Sequence, residues 1–487
     1  MRLLTPGLLI FLLVLLVYSF SLNGVWAADH PTSLLQLAYA FWSTHSPVLV
    51  NTGPQFPGTV DDFVYNGNYY SALAPGVAVL AQPFVGLGFT LDGGFNVFGN
   101  AMLLSELFVA VCNAVAAYFV FKLGSMYFTQ KTSVFVAFAY AFSTISWPFA
   151  TYFFESDVSA MLDLVAVFLA LRMARRKSLS LTEAVPCGAA LGAAFTVDYI
   201  NFVFVPIISF FLLYTFRGKL AGLAKGLAGL LATSAVGAVL LALYDQTAFG
   251  NPLLTSEQVY DQTSSVFQSF SYPLLSGLYL DLFSPIRGVF LYCPMLVLGL
   301  VGCYYFWQRR EVRTECVLLI ACFLAILLPY SMWYNAEGGE GFGQRFLIPV
   351  IPFLLLPAGF AIEARARLVR ALAYPLYGLG VIFNGIAGVT TAIPQVAPIS
   401  EFPFLTHVLP LFLKGGGDTW WWGEVGSFWW APSLLIIGTA LAIALVFPAA
   451  HDETGGRAKA VFATGEADAV GKAADGFLEG VGMRNET

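Results

Sequence analysis

The chain reads as an all-α polytopic membrane protein, and three features of the sequence point there. Of its 487 residues, 58% are hydrophobic and 11% charged, with a mean hydropathy of +0.76, against roughly 25% charged in a soluble domain. Apolar runs close to the roughly 20 residues that a membrane span needs recur along the chain. The basic residues are also sorted: all but three of the 23 Lys and Arg fall in alternate loops, the bias that orients helices in a bilayer.

The runs lie near residues 5–21, 99–121, 132–152, 156–172, 182–198, 200–216, 226–246, 288–307, 314–333, 346–362, 370–391 and 429–448, which makes about twelve transmembrane helices. The stretch 72–91 is also apolar, but Pro75, Pro83 and several glycines break it. Charge decides its status. If it does not cross, one side collects Arg2, Lys122, Lys131, Arg172, Arg175, Arg176, Lys177, Arg217, Lys219, Lys225, Arg309, Arg310, Arg313, Arg365, Arg367, Arg370 and the basic residues of the C-terminal tail. If it crossed, every later loop would invert and only Arg2, Arg287, Arg345 and Lys414 would remain inside. Residues 72–91 are therefore expected at the outer interface or re-entrant, with their broken backbone buried against protein.

This topology makes residues 1–448 one transmembrane domain with both termini cytoplasmic, in the cell membrane. Large loops face outward at 22–98, 247–287, 334–345 and 392–428, and the active-site loops are expected among them. After Ala449 the composition turns to Gly, Ala and charged residues, which reads as a cytosolic tail over 449–487, partly disordered. No repeat of fixed period is visible. The net charge of -6 is scattered, which excludes a nucleic-acid partner. The six cysteines lie in or beside apolar runs with no CxxC pair and no histidine at ligand spacing, as small buried hydrophobes do.

Chemistry is expected where spans meet water. The first outer loop carries Asp29, His30, Asp61, Asp62, Tyr69 and Tyr70, with a helix expected over 31–43. Glu155 and Asp157 stand where one span ends and the next begins. Asp157 and Asp29 could equally cap their helices. Three basic residues go against the charge bias: Arg287, Arg345 and Lys414. A guanidinium at the hydrocarbon boundary needs an anionic partner. A lipid phosphate fits its planar fork, although Asp281, Glu337 or Glu340 would also serve, or the side chain could snorkel. A carboxylate is the usual base for an acceptor hydroxyl. Asp29 and Asp157 could divide that work, or hold a divalent cation such as Mg or Mn between them. The tryptophans around Trp420, Trp421, Trp422, Trp429 and Trp430 read as an interfacial belt, one of them able to stack on sugar.

These residues resemble the GT-C class of polytopic glycosyltransferases, in particular prokaryotic relatives of protein O-mannosyltransferases and aminoarabinose transferases. The resemblance runs from about residue 5 to 390. It is carried by Asp29, the run Tyr65 to Gly76, the boundary Phe154 to Ser159, the segment Ser284 to Gly288 with Tyr292 and Pro294, and Gly343-Gln344-Arg345 leading to Pro349 and Pro352. It implies a GT-C-like fold with juxtamembrane helices in the first outer loop. It also implies a polyprenyl-phosphate-linked sugar as donor, a glycan, lipid or protein as acceptor, and inverting transfer at the outer face. The roles map onto Asp29 as base or metal ligand, Asp157 as second acid, and Arg287 with Arg345 as phosphate ligands. His30, Asp61, Asp62, Tyr69, Tyr70 and Glu155 would contact substrate. Two positions depart from the family: Ala72-Leu73-Ala74 stand where relatives often have Lys before Pro-Gly, and Ser156 stands where they have His. Two other readings remain, a transporter or lipid flippase using Glu106, Asp163 and Asp198, and an inactive relative that scaffolds envelope enzymes.

Overall fold

The computed structural model describes residues 5–24, 29–50, 59–96, 99–218, 220–263, 266–336, 338, 341–364, 366–391, 402–421 and 428–450. Helix α1 (Pro6–Ser19) starts where the Thr5 hydroxyl accepts the Leu8 N–H and Pro6 supplies a first-turn φ. Its end is held by two tryptophans: Trp421 Nε1 donates to the Phe20 carbonyl at 2.6 Å and Trp420 Nε1 to that of Ser19 at 3.2 Å. These indoles thus satisfy orphan helix carbonyls, while Trp422 lies outside the described residues.

The stretch expected as the first outer loop carries regular structure. Helix α2 (Asp29–Thr44) is followed by a hairpin of β1 (Asp62–Tyr65) and β2 (Asn68–Ser71), then α3 (Gly76–Leu80) and α4 (Gln82–Asp92). The strands pair antiparallel with Asp62 opposite Ser71 and Tyr65 opposite Asn68. Asn66 and Gly67 make the turn with φ of 49° and 81°, the left-handed pair that a two-residue hairpin turn requires. Neither α3 nor α4 can cross a bilayer alone, since 11 residues rise only about 16 Å. They bury Val77, Ala78, Val85 and Phe89 against Leu34, Leu35, Leu37 and Ala38 of α2 and Met102 and Val109 of α5 (Asn100–Gly124), so this stretch has its own apolar core on the N-terminal half of α5.

The remaining helices are α6 (Gln130–Phe142), α7 (Ser146–Phe149), α8 (Ser156–Arg176), α9 (Leu181–Val197), α10 (Phe204–Phe216), α11 (Leu220–Phe249), α12 (Ser256–Tyr260), α13 (Leu274–Leu282), α14 (Val289–Tyr292), α15 (Leu296–Gln308), α16 (Arg313–Met332), α17 (Ile351–Leu355), α18 (Ala358–Glu363), α19 (Arg367–Val389), α20 (Leu409–Leu413) and α21 (Trp430–Ala450). Among the described residues, six helical stretches are long and apolar enough to cross a membrane: Asn100–Gly124, Tyr199–Phe216, Gly222–Phe249, Arg310–Met332, Arg345–Glu363 and Arg367–Val389. The other six expected spans fall on α1, on α6 with α7, on α8, on α9, on α14 with α15, and on α21. Proline explains one shortening, where Pro294 separates α14 from α15. The expected tail lies outside the described residues from 451 onward. Helices α9 and α11 meet through glycine, where a Cβ on Gly237 would stand 2.1 Å from the Gly192 carbonyl oxygen, the close backbone approach of small-residue packing in membranes.

The helices pair end to end. Arg175 at the end of α8 binds Glu315 at the start of α16, with Nε to Oε1 at 3.0 Å, and the Tyr127 hydroxyl joins the same carboxylate. At the other ends of those helices, Glu155 opens α8 and Tyr330 closes α16, where its hydroxyl donates to Asp198 at 3.0 Å. From Glu155 to Arg175 is about 30 Å of helix, the thickness of a hydrocarbon core.

Candidate active site

The first turn of α2 carries Asp29 and His30, with Pro31 in the same turn, and points His30 at the start of α8. The His30 ring is buried and held from both sides: Nε2 donates to Glu155 Oε2 at 2.6 Å and Nδ1 faces Asp61 Oδ2 at 3.3 Å. It stacks on Phe154, centroids 4.8 Å apart and planes 19° from parallel. The Arg345 guanidinium lies 5.0 Å from the same Phe154 ring and 5.3 Å from Phe346. Its Nε is buried without a hydrogen bond, and its charge acts on His30, Asp61 and Glu155 alike. Three segments remote in sequence thus meet at one end of the bundle.

The electrostatics sort these groups. Burial alone would lower His30, but the Glu155 charge and the hydrogen bonds from Asp61 and Glu155 raise it to about 9. Burial would raise Glu155, yet the His30 charge and hydrogen bond bring it to about 2. Asp61, pushed up by burial, is held below the usual carboxylate range by the hydrogen bond and charge of His30. At neutral pH the set is a cationic imidazole between two anionic carboxylates. Asp29 differs: half-buried beside Asp61, it is raised by desolvation and by the Asp61 charge, against a hydrogen bond from the Val60 backbone.

The other expected residues separate. Asp62 turns away and accepts the Ser33 hydroxyl at 2.6 Å, and burial lifts it to about 6; it ties the hairpin to α2. Tyr70 packs on Phe249 with centroids 5.3 Å apart, whereas Tyr69 is 42% exposed on the neighbouring strand position. Arg287 is buried within electrostatic reach of Tyr292, whose hydroxyl donates to the Pro285 and Ile286 carbonyls at 3.0 Å each. Of its expected acidic partners, Asp281 accepts the Ser331 hydroxyl at 2.6 Å and the Gln344 amide. Glu337 and Glu340 lie outside the described residues.

Asp157 is the main correction. It is fully buried, accepts Asn113 Nδ2, and acts on Tyr18, Tyr140 and Cys112 inside the bundle. Two residues along a helix rotate the side chain by about 200°, so Glu155 reaches the site and Asp157 faces the interior. The expected metal pair of Asp29 and Asp157 is therefore not assembled. Among the described residues no three His, Cys, Asp or Glu gather around a common point fit for a metal, and the space between Asp61 and Glu155 is filled by His30.

Several polar residues of this end carry no expectation from the sequence. Tyr260 of α12 donates to the Val60 carbonyl at 2.8 Å, and Tyr334 to Asp261 at 2.8 Å. Glu257, desolvated and close to Asp198 and Asp261, is raised to about 8. An acid and tyrosine cluster between two expected spans, at Glu257, Tyr260 and Asp261, was the available signal.

No family model and no curated protein matches the sequence. The fold has solved counterparts. ArnT from Cupriavidus metallidurans bound to undecaprenyl phosphate aligns with a TM-score of 0.54 at 14% identity, covering 90% of this chain and 77% of that one. The Archaeoglobus fulgidus oligosaccharyltransferase in its apo form aligns at 0.52 and 15% identity, over 80% of this chain and 56% of that one. The same organism's oligosaccharyltransferase AglB, in complex with an inhibitory peptide and a dolichol-phosphate, aligns at 0.52 and 13% identity with the same coverage. The chain thus spans just over half the length of the archaeal enzyme. At these identities the likeness is one of fold, and that fold is the all-α GT-C membrane fold expected from the sequence.

Proposed function

We propose that the chain is a membrane glycosyltransferase that moves a sugar from a polyprenyl phosphate to an acceptor hydroxyl at the outer face of the cytoplasmic membrane, with inversion. One observation carries the reading: an acid with a raised pKa, Asp29, stands beside a fixed cluster of charges that ends in a half-buried guanidinium, Arg345, whose Nε has no hydrogen-bond partner, at one end of a GT-C bundle. The end chosen as outer is the one opposite the basic loops, and α3 and α4 would lie along that interface.

The division of labour follows from the charges. Asp61 and Glu155 are committed to His30 and held as weak bases. Asp29 is the better base because its pKa is nearer the working pH. In the transfer, the acceptor oxygen forms a bond to the anomeric carbon as the bond from that carbon to the phosphate oxygen breaks. The acceptor proton goes to Asp29, and the electron pair leaves with the polyprenyl phosphate. Arg345, with Arg287, would bind that phosphate and stabilise its growing charge. No step is assigned to a metal, since His30 occupies the place between the two acids.

The transporter reading loses two of its three residues. Glu106 accepts the Gly24 N–H at 2.7 Å and closes the α1 loop, and Asp198 is bound by Tyr330 and Ile200. The test is turnover of polyprenyl-phosphate-linked sugars by protein in lipid nanodiscs, read as release of polyprenyl phosphate. Asp29→Asn is expected to keep lipid binding and lose turnover by at least about a hundredfold, the lower end of general-base effects. Wild-type turnover in that variant would end the assignment.

A further inference from the structure

Beside the Asp29 and Asp61 loop lies an open pocket of about 480 Å³, lined by Tyr260, Asp261, Thr263, Gln268, Ser269 and Tyr334. Its volume falls in the range of small-molecule sites. It is joined to the site already described, because Tyr260 donates to the Val60 carbonyl at 2.8 Å and feels the charges of Asp61 and Asp29. The mechanism above uses none of its residues.

The lining has a definite chemistry. Asp261 accepts the Tyr334 hydroxyl on Oδ1 at 2.8 Å and the Ser269 hydroxyl on Oδ2 at 3.3 Å. A carboxylate offers about four lone-pair sites, so acceptor capacity remains on both oxygens. Thr263 Oγ1 is buried with no hydrogen-bond partner, a state that a bound polar group would relieve. Two tyrosines supply flat apolar faces with polar tips. No Lys, Arg or His is among the lining residues, and the charges felt there, from Asp261, Asp61 and Asp29, are all negative. Phosphate is repelled from such a place, while hydroxyl groups are welcome.

We infer that this pocket is the acceptor subsite and that it takes an uncharged saccharide, with hydroxyls on Asp261 and Thr263 and a ring face against Tyr260 or Tyr334. The inference rests on the transferase reading and gives it a division of space: the anionic donor on the Arg345 side, the neutral acceptor on the Asp261 side, with Asp29 between them.

The test uses the full chain in nanodiscs, where no glycoside detergent competes. Saturation-transfer NMR is run with the methyl glycosides of glucose, galactose, mannose and N-acetylglucosamine. At least one is expected to bind. Asp261→Ala should weaken it about 10- to 100-fold, as loss of hydrogen bonds to a charged group does. Tyr334→Ala should weaken it similarly and Tyr334→Phe less, whereas inorganic phosphate should not compete. Thr263→Val provides a conservative variant should Asp261→Ala fail to fold. The subsite is overturned if no glycoside binds, if binding ignores these substitutions, or if phosphate displaces the sugar. Donor turnover in the same discs separates the two ideas. Turnover with no glycoside bound would sink the subsite alone. A glycoside lost on Asp261→Ala, in protein that never cleaves donor, would keep the saccharide site and sink the transferase.

Discussion

Glu155→Gln tests the electrostatic frame of the site directly, because it removes one of the two carboxylates that keep His30 charged. The rise of His30 from 6.5 to about 9 and the fall of Glu155 from 4.5 to about 2 each correspond to about 3 kcal/mol at roughly 1.4 kcal/mol per pH unit. They describe one contact from its two ends, so it counts once. The side chains are 11% and 13% exposed, which leaves little solvent screening. The raised histidine stabilises the fold fully below pH 6.5 and loses that contribution as pH climbs through about 9. The depressed glutamate contributes above pH 4.5 and loses its part as pH falls through about 2. Wild type should therefore exceed the variant in thermal stability most between pH 4.5 and 6.5, with the gap closing toward pH 9. Nitrogen-15 spectra of histidine-labelled protein contain four histidines, and His30→Gln assigns the signal. The His30 signal should stay imidazolium well above pH 7 in wild type and titrate earlier in the variant. A wild-type His30 that titrates at or below 6.5, or a stability gap indifferent to pH, would refute the ion-pair description.

Arg345→Lys keeps the charge but loses the fork and the planar contact with Phe154 and Phe346; donor KM should rise about tenfold at saturating acceptor, and an unchanged KM would remove Arg345 from the phosphate site. Asp281→Asn weakens the bonds from Ser331 and Gln344 that fix the segment before Arg345, so a loss of about 1.5–3 kcal/mol is expected in denaturant or thermal unfolding. Gly237→Ala places a methyl 2.1 Å from the Gly192 carbonyl oxygen and should cost about 1–3 kcal/mol as α9 and α11 separate, read as a lower unfolding temperature with the His30 spectrum unchanged.

What the sequence discloses here is set by the range of the interaction. The helices were legible because a bilayer imposes length and apolarity on each segment separately, and Lys and Arg sort by side without reference to packing. Asp29, His30, Asp61 and Glu155 were legible as boundary acids and their neighbour, yet nothing local says that His30 bridges the two carboxylates. The choice between Glu155 and Asp157 turns on helix phase at the first residues of α8, and a helix start uncertain by two residues swaps which one faces the site. The hairpin has its strongest short signal in Asn66-Gly67 between Tyr65 and Asn68, which a count of spans passes over; Tyr69 and Tyr70 beside it are expected to contact substrate, and Tyr70 spends its ring on Phe249. Glu257, Tyr260 and Asp261 were hidden for a different reason. Their partners, Asp198, Val60 and Tyr334, come from three other segments, and no spacing rule links them.

The two ends of the bundle are both rich in charge, but they are balanced differently, and that difference is what separates scaffold from site. At the basic end, Arg175 is matched to Glu315, and Arg172 and Arg176 to Glu183, with N to O distances of 3.0, 2.7 and 3.0 Å. Such pairs close loops on themselves and leave nothing to offer. At the opposite end, about 30 Å away along α8, acids gather: Asp29, Asp61, Glu155, Asp198, Glu257 and Asp261 stand there, and the charges of His30 and Arg345 reach Asp61 and Glu155. An excess of carboxylate in a partly desolvated setting raises the pKa of its least compensated members, as it does for Asp29 and Glu257. Self-repulsion of that kind destabilises the free protein. On the proposed reading, a ligand would offset it by bringing hydroxyl protons to the acids and a phosphate to the guanidinium, as a lipid-phosphate sugar meeting an alcohol would.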